Sequence, residues 1–227
     1  MWLINSSIGR KVVMSVTGIA LILFLTFHGC MNLVALFSEE GYNMICEFLG
    51  ANWYAVVATL GLAALAVIHI VFAFILTAQN RKARGENRYE VATEVNPGIV
   101  EWSSKNMLVL GIIICLGLLL HLYNFWYNMM FAELLGTYTQ YDPADGFAWI
   151  KETFSNPVFV VLYIIWLVAI WFHLTHGFWS AMQTLGWSGK TWLCRWKMIG
   201  FIYTTVLMLA FLVVVLAFAF KCAPSLC

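Results

Sequence analysis

The chain has 227 residues, 63% hydrophobic and 10% charged, with a mean hydropathy of +0.85 and a formal net charge of +1. This composition excludes an ordinary soluble globular domain, and the near-zero net charge gives no sign of nucleic-acid binding. Every Lys, Arg, Asp and Glu falls outside five stretches: 12–38, 48–80, 106–132, 153–189 and 198–220. Each is long enough for a helix crossing a hydrocarbon core about 30 Å thick. None shows the period-2 alternation of a barrel strand. The expectation is an all-α integral membrane bundle, one domain over 1–227, with transmembrane helices at about 12–38, 53–80, 104–130, 156–185 and 197–220.

The first apolar stretch is too long for a cleaved signal, and its basic residues Arg10 and Lys11 are set back from the start. It carries His28. The segment after it, "SEEGYNMICEFLG", places Met44, Ile45, Phe48 and Leu49 at helical spacing, which predicts a short interfacial helix. The second stretch carries His69. It leads into "NRKARGENRYEVATEVNPGIVEWSSK", a hydrophilic connection of both charge signs that reads either as a docking surface for a soluble partner or as a solvated loop. The third stretch carries His121. The connection 130–155 follows, with turn chemistry in "YDPADG" at Pro143 and Gly146, and is expected to cap the outer surface. The fourth stretch holds "WFHLTHGFW", with His173 and His176, and the fifth has no histidine.

Basic residues set the orientation. If the N-terminus is inside, the inner segments hold Arg10, Lys11, Arg81, Lys82, Arg84, Arg88, Lys105, Lys190, Arg195 and Lys197. The outer ones hold only Lys151 and Lys221, alongside the acidic Glu39, Glu40, Glu47, Glu133, Asp142, Asp145 and Glu152. The positive-inside rule therefore predicts a cytoplasmic N-terminus. Six cysteines show neither C-x-x-C nor C-x-x-C-H, which argues against covalent haem and a zinc ribbon. An outer-side disulfide among Cys30, Cys46, Cys222 and Cys227 stays open.

All five histidines lie inside apolar stretches, where an ionisable side chain is costly unless it is paired or functional. Counted at about 1.5 Å per residue from the outer ends, His28 and His121 lie roughly 12 to 15 Å deep, and His69 and His173 about 24 Å deep. Two imidazole pairs at two depths are what two b-type haems require, each iron taking one nitrogen from either side. A bis-histidine iron has no open position for O₂, so the implied work is one-electron transfer. Structural zinc needs four ligands at one site, and a proton relay would use Asp or Glu within the spans; neither pattern is present. Short residues near the ligands, Gly117, Gly177 and Ala66, leave room for a porphyrin. Gly177 at i+4 favours His173 over His176 as the ligand. His176, three residues along on a nearby face, is expected to hydrogen-bond a propionate, another helix or nothing special.

"SVTGIALILFLTFHG", the histidines at 69 and 121, and "HLTHGFWSAMQTLGW" together resemble the cytochrome b membrane anchor of succinate:quinone oxidoreductases, in its single-chain, dihaem, five-helix form. The resemblance spans essentially the whole chain. It implies axial ligands at His28 and His121 for the distal haem and His69 and His173 for the proximal one, with Ser15 near a proximal propionate. It also implies a quinone site near the distal haem, menaquinone favoured, with Glu47 as its candidate proton acceptor. The implied partners are a flavoprotein and an iron-sulfur subunit on the cytoplasmic side of a bacterial inner membrane. Two departures stand out. Trp171 occupies the place where some members carry a glutamate, and Thr184 the place of a basic residue, for which Lys190 or the Arg10–Lys11 pair could substitute. Two other readings stay open: the cytochrome subunit of a hydrogenase, formate dehydrogenase or nitrate reductase, and a haem-free transporter or assembly protein whose histidines bridge helices.

Overall fold

The computed structural model describes residues 6–84, 99–137 and 140–226. Side chains at 84 and 99–101 are outside this description, as are most of the hydrophilic connection expected to dock a partner and Cys227. The described chain is helical. Helix α1 (Ser7–Val34) is followed by α2 (Glu39–Phe48), α3 (Trp53–Arg84) and α4 (Ile99–His121). The last of these continues through a π-helical segment, Leu122–Phe131, into the short α5 (Ala132–Leu135). Then come α6 (Gly146–Ser155), α7 (Pro157–Thr184), α8 (Lys190–Ala219) and a 3₁₀ turn at Pro224–Leu226. Five helical stretches are long and apolar enough to cross a membrane: Ser7–Val34, Trp53–Ala83, Trp102–Leu135, Pro157–Thr184 and Lys190–Leu226. Their outward faces carry large apolar side chains such as Leu23, Leu60 and Val206, each more than 60% exposed, as lipid-facing surfaces require.

Local chemistry sets the boundaries. Ser6 accepts from the Gly9 N–H at 2.9 Å, Ser38 from Gly41 at 2.9 Å, and Asn156 from Val158 at 2.9 Å, with Pro157 at the first helical position. Gly136, at φ 62°, ends α5 in the left-handed region that favours glycine. The first span therefore begins earlier and stops earlier than 12–38. The fifth begins at Lys190, because basic residues can head a span by reaching toward the interface.

The helices pack unevenly. Helix α7 lies against both α8 and α4, and α1 against α3, α7 and α8, whereas α3 leans mainly on α1 and scarcely meets α4. No residue in the most apolar 18-residue stretch of α3 is buried. One end of the bundle carries the basic residues Arg10, Lys11, Arg81, Lys82, Lys190, Arg195 and Lys197; this is the basic end. The opposite, acidic end is closed by α2, α6 and the C-terminal turn. There Phe147, Ile150, Phe154, Phe218 and Ala223 form much of the buried core. Ser225 donates to the Ala35 carbonyl at 2.6 Å, and its N–H donates to Leu36 at 3.1 Å, tying the chain end over the α1–α2 junction.

Helix α2 forms where the apolar spacing places it. Helix α6 does more than the turn reading of "YDPADG" implies: Asp145 caps it, accepting from the Ala148 N–H at 3.1 Å, and Phe147, Ile150 and Phe154 bury one face. The described cysteines, Cys30, Cys46, Cys115, Cys194 and Cys222, are free.

Candidate functional site

A cavity of about 820 Å³ runs between α1, α3, α4 and α7, lined mostly by apolar side chains. It is the gap that keeps α3 away from α4. All five histidines line it.

Near the acidic end, α1 and α4 bring His28 and His121 together with ring centroids 5.7 Å apart and planes at 86°. Near the basic end, α3 and α7 bring His69 and His173 together with centroids 6.4 Å apart and planes at 66°. A metal ion held between two imidazole nitrogens, each about 2 Å from it, places the ring centroids about 6 Å apart. Both separations sit close to that value. Each pair offers imidazole nitrogens as its donors, and among the described residues no three His, Cys, Asp or Glu side chains form a metal-holding group. By spacing, donor type and the open space beside each pair, these residues fit two bis-imidazole haems.

The pairs have different surroundings. His28 stacks on Phe24 at 5.5 Å, and His121 is enclosed by Phe125, Tyr163 and Trp166 at 5.2, 6.2 and 5.5 Å. Asn32 donates to the His28 carbonyl at 2.8 Å, lies 3.4 Å from His28 Nε2, and accepts from the buried Tyr42 hydroxyl at 3.3 Å. The longer contact to Nε2 is loose enough to yield to a stronger partner. His121 Nδ1 is buried without a protein partner.

His69 is held by a hydroxyl. Thr17 Oγ1 lies 3.2 Å from His69 Nδ1 while pointing its own hydrogen at the Val13 carbonyl, 2.8 Å away. With the Thr17 hydrogen on the Val13 carbonyl, the Thr17 oxygen is placed to accept from Nδ1–H, and in that tautomer the Nε2 lone pair is available to a metal. A Cβ at Gly18 would sit 3.2 Å from His69 Cε1, so this glycine is what lets the imidazole lie against α1. His173 Nδ1 and His176 Nδ1 are buried without protein partners, and the His176 ring packs on Trp179 at 4.8 Å.

The small residues divide. Gly177 lines the cavity with nothing within 4 Å of a built Cβ, and Ala66 lines it as well. Gly117 does not leave porphyrin space as its sequence position implies. The Trp166 indole fills its cleft, held by a bond from Nε1 to the Ile114 carbonyl at 3.0 Å. A neighbouring helix supplied the large side chain for which the glycine made room.

Ser15 is buried and lines the cavity on the same helix as Thr17 and Gly18. Glu47 is exposed on the last turn of α2 and is not among the cavity-lining residues. Trp171 turns away from the histidines and donates through Nε1 to Thr205 Oγ1 at 2.9 Å. Thr184 spends its hydroxyl on the Ser180 carbonyl at 2.9 Å. Sequence reasoning passed over Thr17, Gly18, Asn32 and Trp166. For the first two a signal existed, since both lie at the start of the quoted "SVTGIALILFLTFHG" stretch, two and three residues after Ser15. No protein-family model, curated protein or solved structure matches the chain.

Proposed function

We propose that the chain is a dihaem cytochrome b membrane anchor of a succinate dehydrogenase or fumarate reductase complex, passing electrons between membrane quinone and an iron-sulfur subunit. The observation that carries the reading is the meeting of histidines from four helices as two facing pairs at two levels of one cavity. Bridging between helices gives no reason for four histidines to converge on a common void, so the haem-free transporter is disfavoured. A histidine on each of the first four spans likewise favours this anchor over the hydrogenase, formate dehydrogenase and nitrate reductase types.

Bis-imidazole haem supplies one-electron transfer with no open coordination position. The protein's part is orientation and exclusion of water. By accepting from Nδ1–H, Thr17 would hold His69 with Nε2 free to ligate, and the aromatic shell around His121 would keep that level dry. Ser15, beside the basic-end pair, is proposed to receive a propionate. Quinone, with menaquinone favoured, is assigned to the acidic end. There Glu47 is the proposed acceptor for protons released on quinol oxidation, its exposure giving it direct exchange with solvent. The flavoprotein and iron-sulfur partners are assigned to the basic end, the cytoplasmic side of a bacterial inner membrane by the charge rule.

The test is optical. The purified full-length chain, produced with ample haem, should give a reduced-minus-oxidised b-type spectrum and two haems per chain by pyridine haemochrome. A folded, colourless protein would overturn the reading.

A further inference from the structure

We infer that the seam between α3 and α4 is a lateral port, through which a flat apolar ligand passes between the bilayer and the cavity when α3 tilts outward. For a tetrapyrrole, whose presence rests on the haem reading above, this is the route of loading and loss.

Four helix seams bound the cavity: α1 with α3, α1 with α7, α4 with α7, and α3 with α4. The first three are closed by packing and the fourth is not. Leu60 and Phe74 of α3 and Ile112 and Leu122 of the α4 span line the cavity, yet each is more than a third exposed. At these positions the cavity wall is also the surface of the bundle. Beside Ile112, Gly111 lines the cavity with nothing within 4 Å of a built Cβ. At about 1.5 Å per residue, Leu60 stands roughly 13 Å from His69 toward the acidic end, and Phe74 roughly 7 Å beyond His69 toward the basic end. The seam therefore runs past both imidazole levels. No Lys, Arg, Asp or Glu lies within 53–80 or 106–132, so its borders are apolar and face lipid.

Helix α3 is suited to move. It leans mainly on α1, and none of its most apolar 18-residue stretch is buried. An element with few buried apolar contacts opens at a lower free energy than the core around it. Just before α3, the Ala51 N–H donates to Glu133 at 3.0 Å, which ties the start of the helix to the far end of the α4 span and gives a point about which it can turn. His69 rides on α3, whereas His28 and His121 belong to α1 and α4, both packed on α7. Opening the port thus stretches the basic-end pair and leaves the acidic-end pair in place.

The experiment times haem b entering and leaving. Haem-free full-length chain in detergent is mixed with haem and followed in the Soret region, and the loaded chain is mixed with excess apomyoglobin, which captures what is released. Phe74→Ala and Ile112→Ala, which trim the rim, should speed uptake and loss together by about fivefold or more, with equilibrium affinity little changed. A side chain that only contacted the ligand would change loss alone. The acceleration should be larger for the redox component that His69→Ala removes. The double variant Phe74→Cys with Ile112→Cys, where its disulfide closes, should slow both directions and recover on reduction. Leu23→Ala, on another lipid-facing surface, and Asn80→Leu, at the basic end of the cavity, are the comparisons. Rim variants no faster than these two, or a change confined to loss, overturn the port, while two haems in wild type leave the haem reading standing. A folded chain that takes up no haem removes both.

Discussion

The two ends of the bundle hold similar imidazole pairs in unlike settings. At the acidic end, α2, α6 and the C-terminal turn close the bundle, and the rings of Phe24, Phe125, Tyr163 and Trp166 pack against His28 and His121. At the basic end, His69 and His173 sit where α3 has little packed against it, beside Gly18, Gly177 and the polar residues around His176. The same ligand type can thus be placed by dense packing at one level and by hydrogen bonds and glycine clearance at the other. The acidic-end pair should respond to changes of volume, and the basic-end pair to changes of polar partner or open space.

The largest effect is expected from Gly177→Leu. Nothing lies within 4 Å of its Cβ, so the folded yield should persist while the basic-end haem is lost, giving one haem per chain by haemochrome. Two retained haems would break the comparison. Gly117→Val acts on the other end by driving a side chain into the Trp166 indole. It should cost about 1 to 3 kcal/mol in stability and deplete the acidic-end haem, measured by thermal unfolding and haem count together.

A smaller effect is expected from Thr17→Val, which removes the acceptor from His69 Nδ1–H at similar volume. Haem affinity at the basic end should fall about tenfold or more, with the acidic-end haem unchanged, by Soret titration. Ser225→Ala should lower stability by about 1 kcal/mol through loss of the bond to Ala35, with haem content intact.

The acidic-end cap should also weaken in alkali. Burial pushes the Cys46 thiol up to about 11 from its ordinary value of 9.0, and burial together with the neighbouring thiol raises the Tyr42 phenol well above its usual range. The folded chain keeps these protons to higher pH than the unfolded chain does. Their contribution is therefore complete below about pH 9 and is lost as pH rises through 11. Melting temperature should fall across that window, and less steeply in Cys46→Ala.

The five spans were legible because lipid leaves so few options: long charge-free stretches must be helices. The grouping of histidines by depth was legible for the same reason, since rise per residue converts position into level. Rotation about each helix axis was not. Gly117 reads as clearance from sequence alone, and only the approach of α7 shows Trp166 filling it. Thr17 reads as a helix hydroxyl until α3 brings His69, 52 residues away, against it. The π-helical turns after His121 left no pattern in the apolar run, and α6 was hidden behind turn residues although Asp145 and the spacing of Phe147, Ile150 and Phe154 marked it.

Four histidines make two separate pairs. The most direct measurement is haem content and potentiometric titration of His28→Ala, His69→Ala, His121→Ala and His173→Ala, each as the full chain. The account predicts that the changes at 28 and 121 remove one and the same redox component, and those at 69 and 173 remove the other. Any other grouping, or retention of both components in any of the four variants, would contradict it.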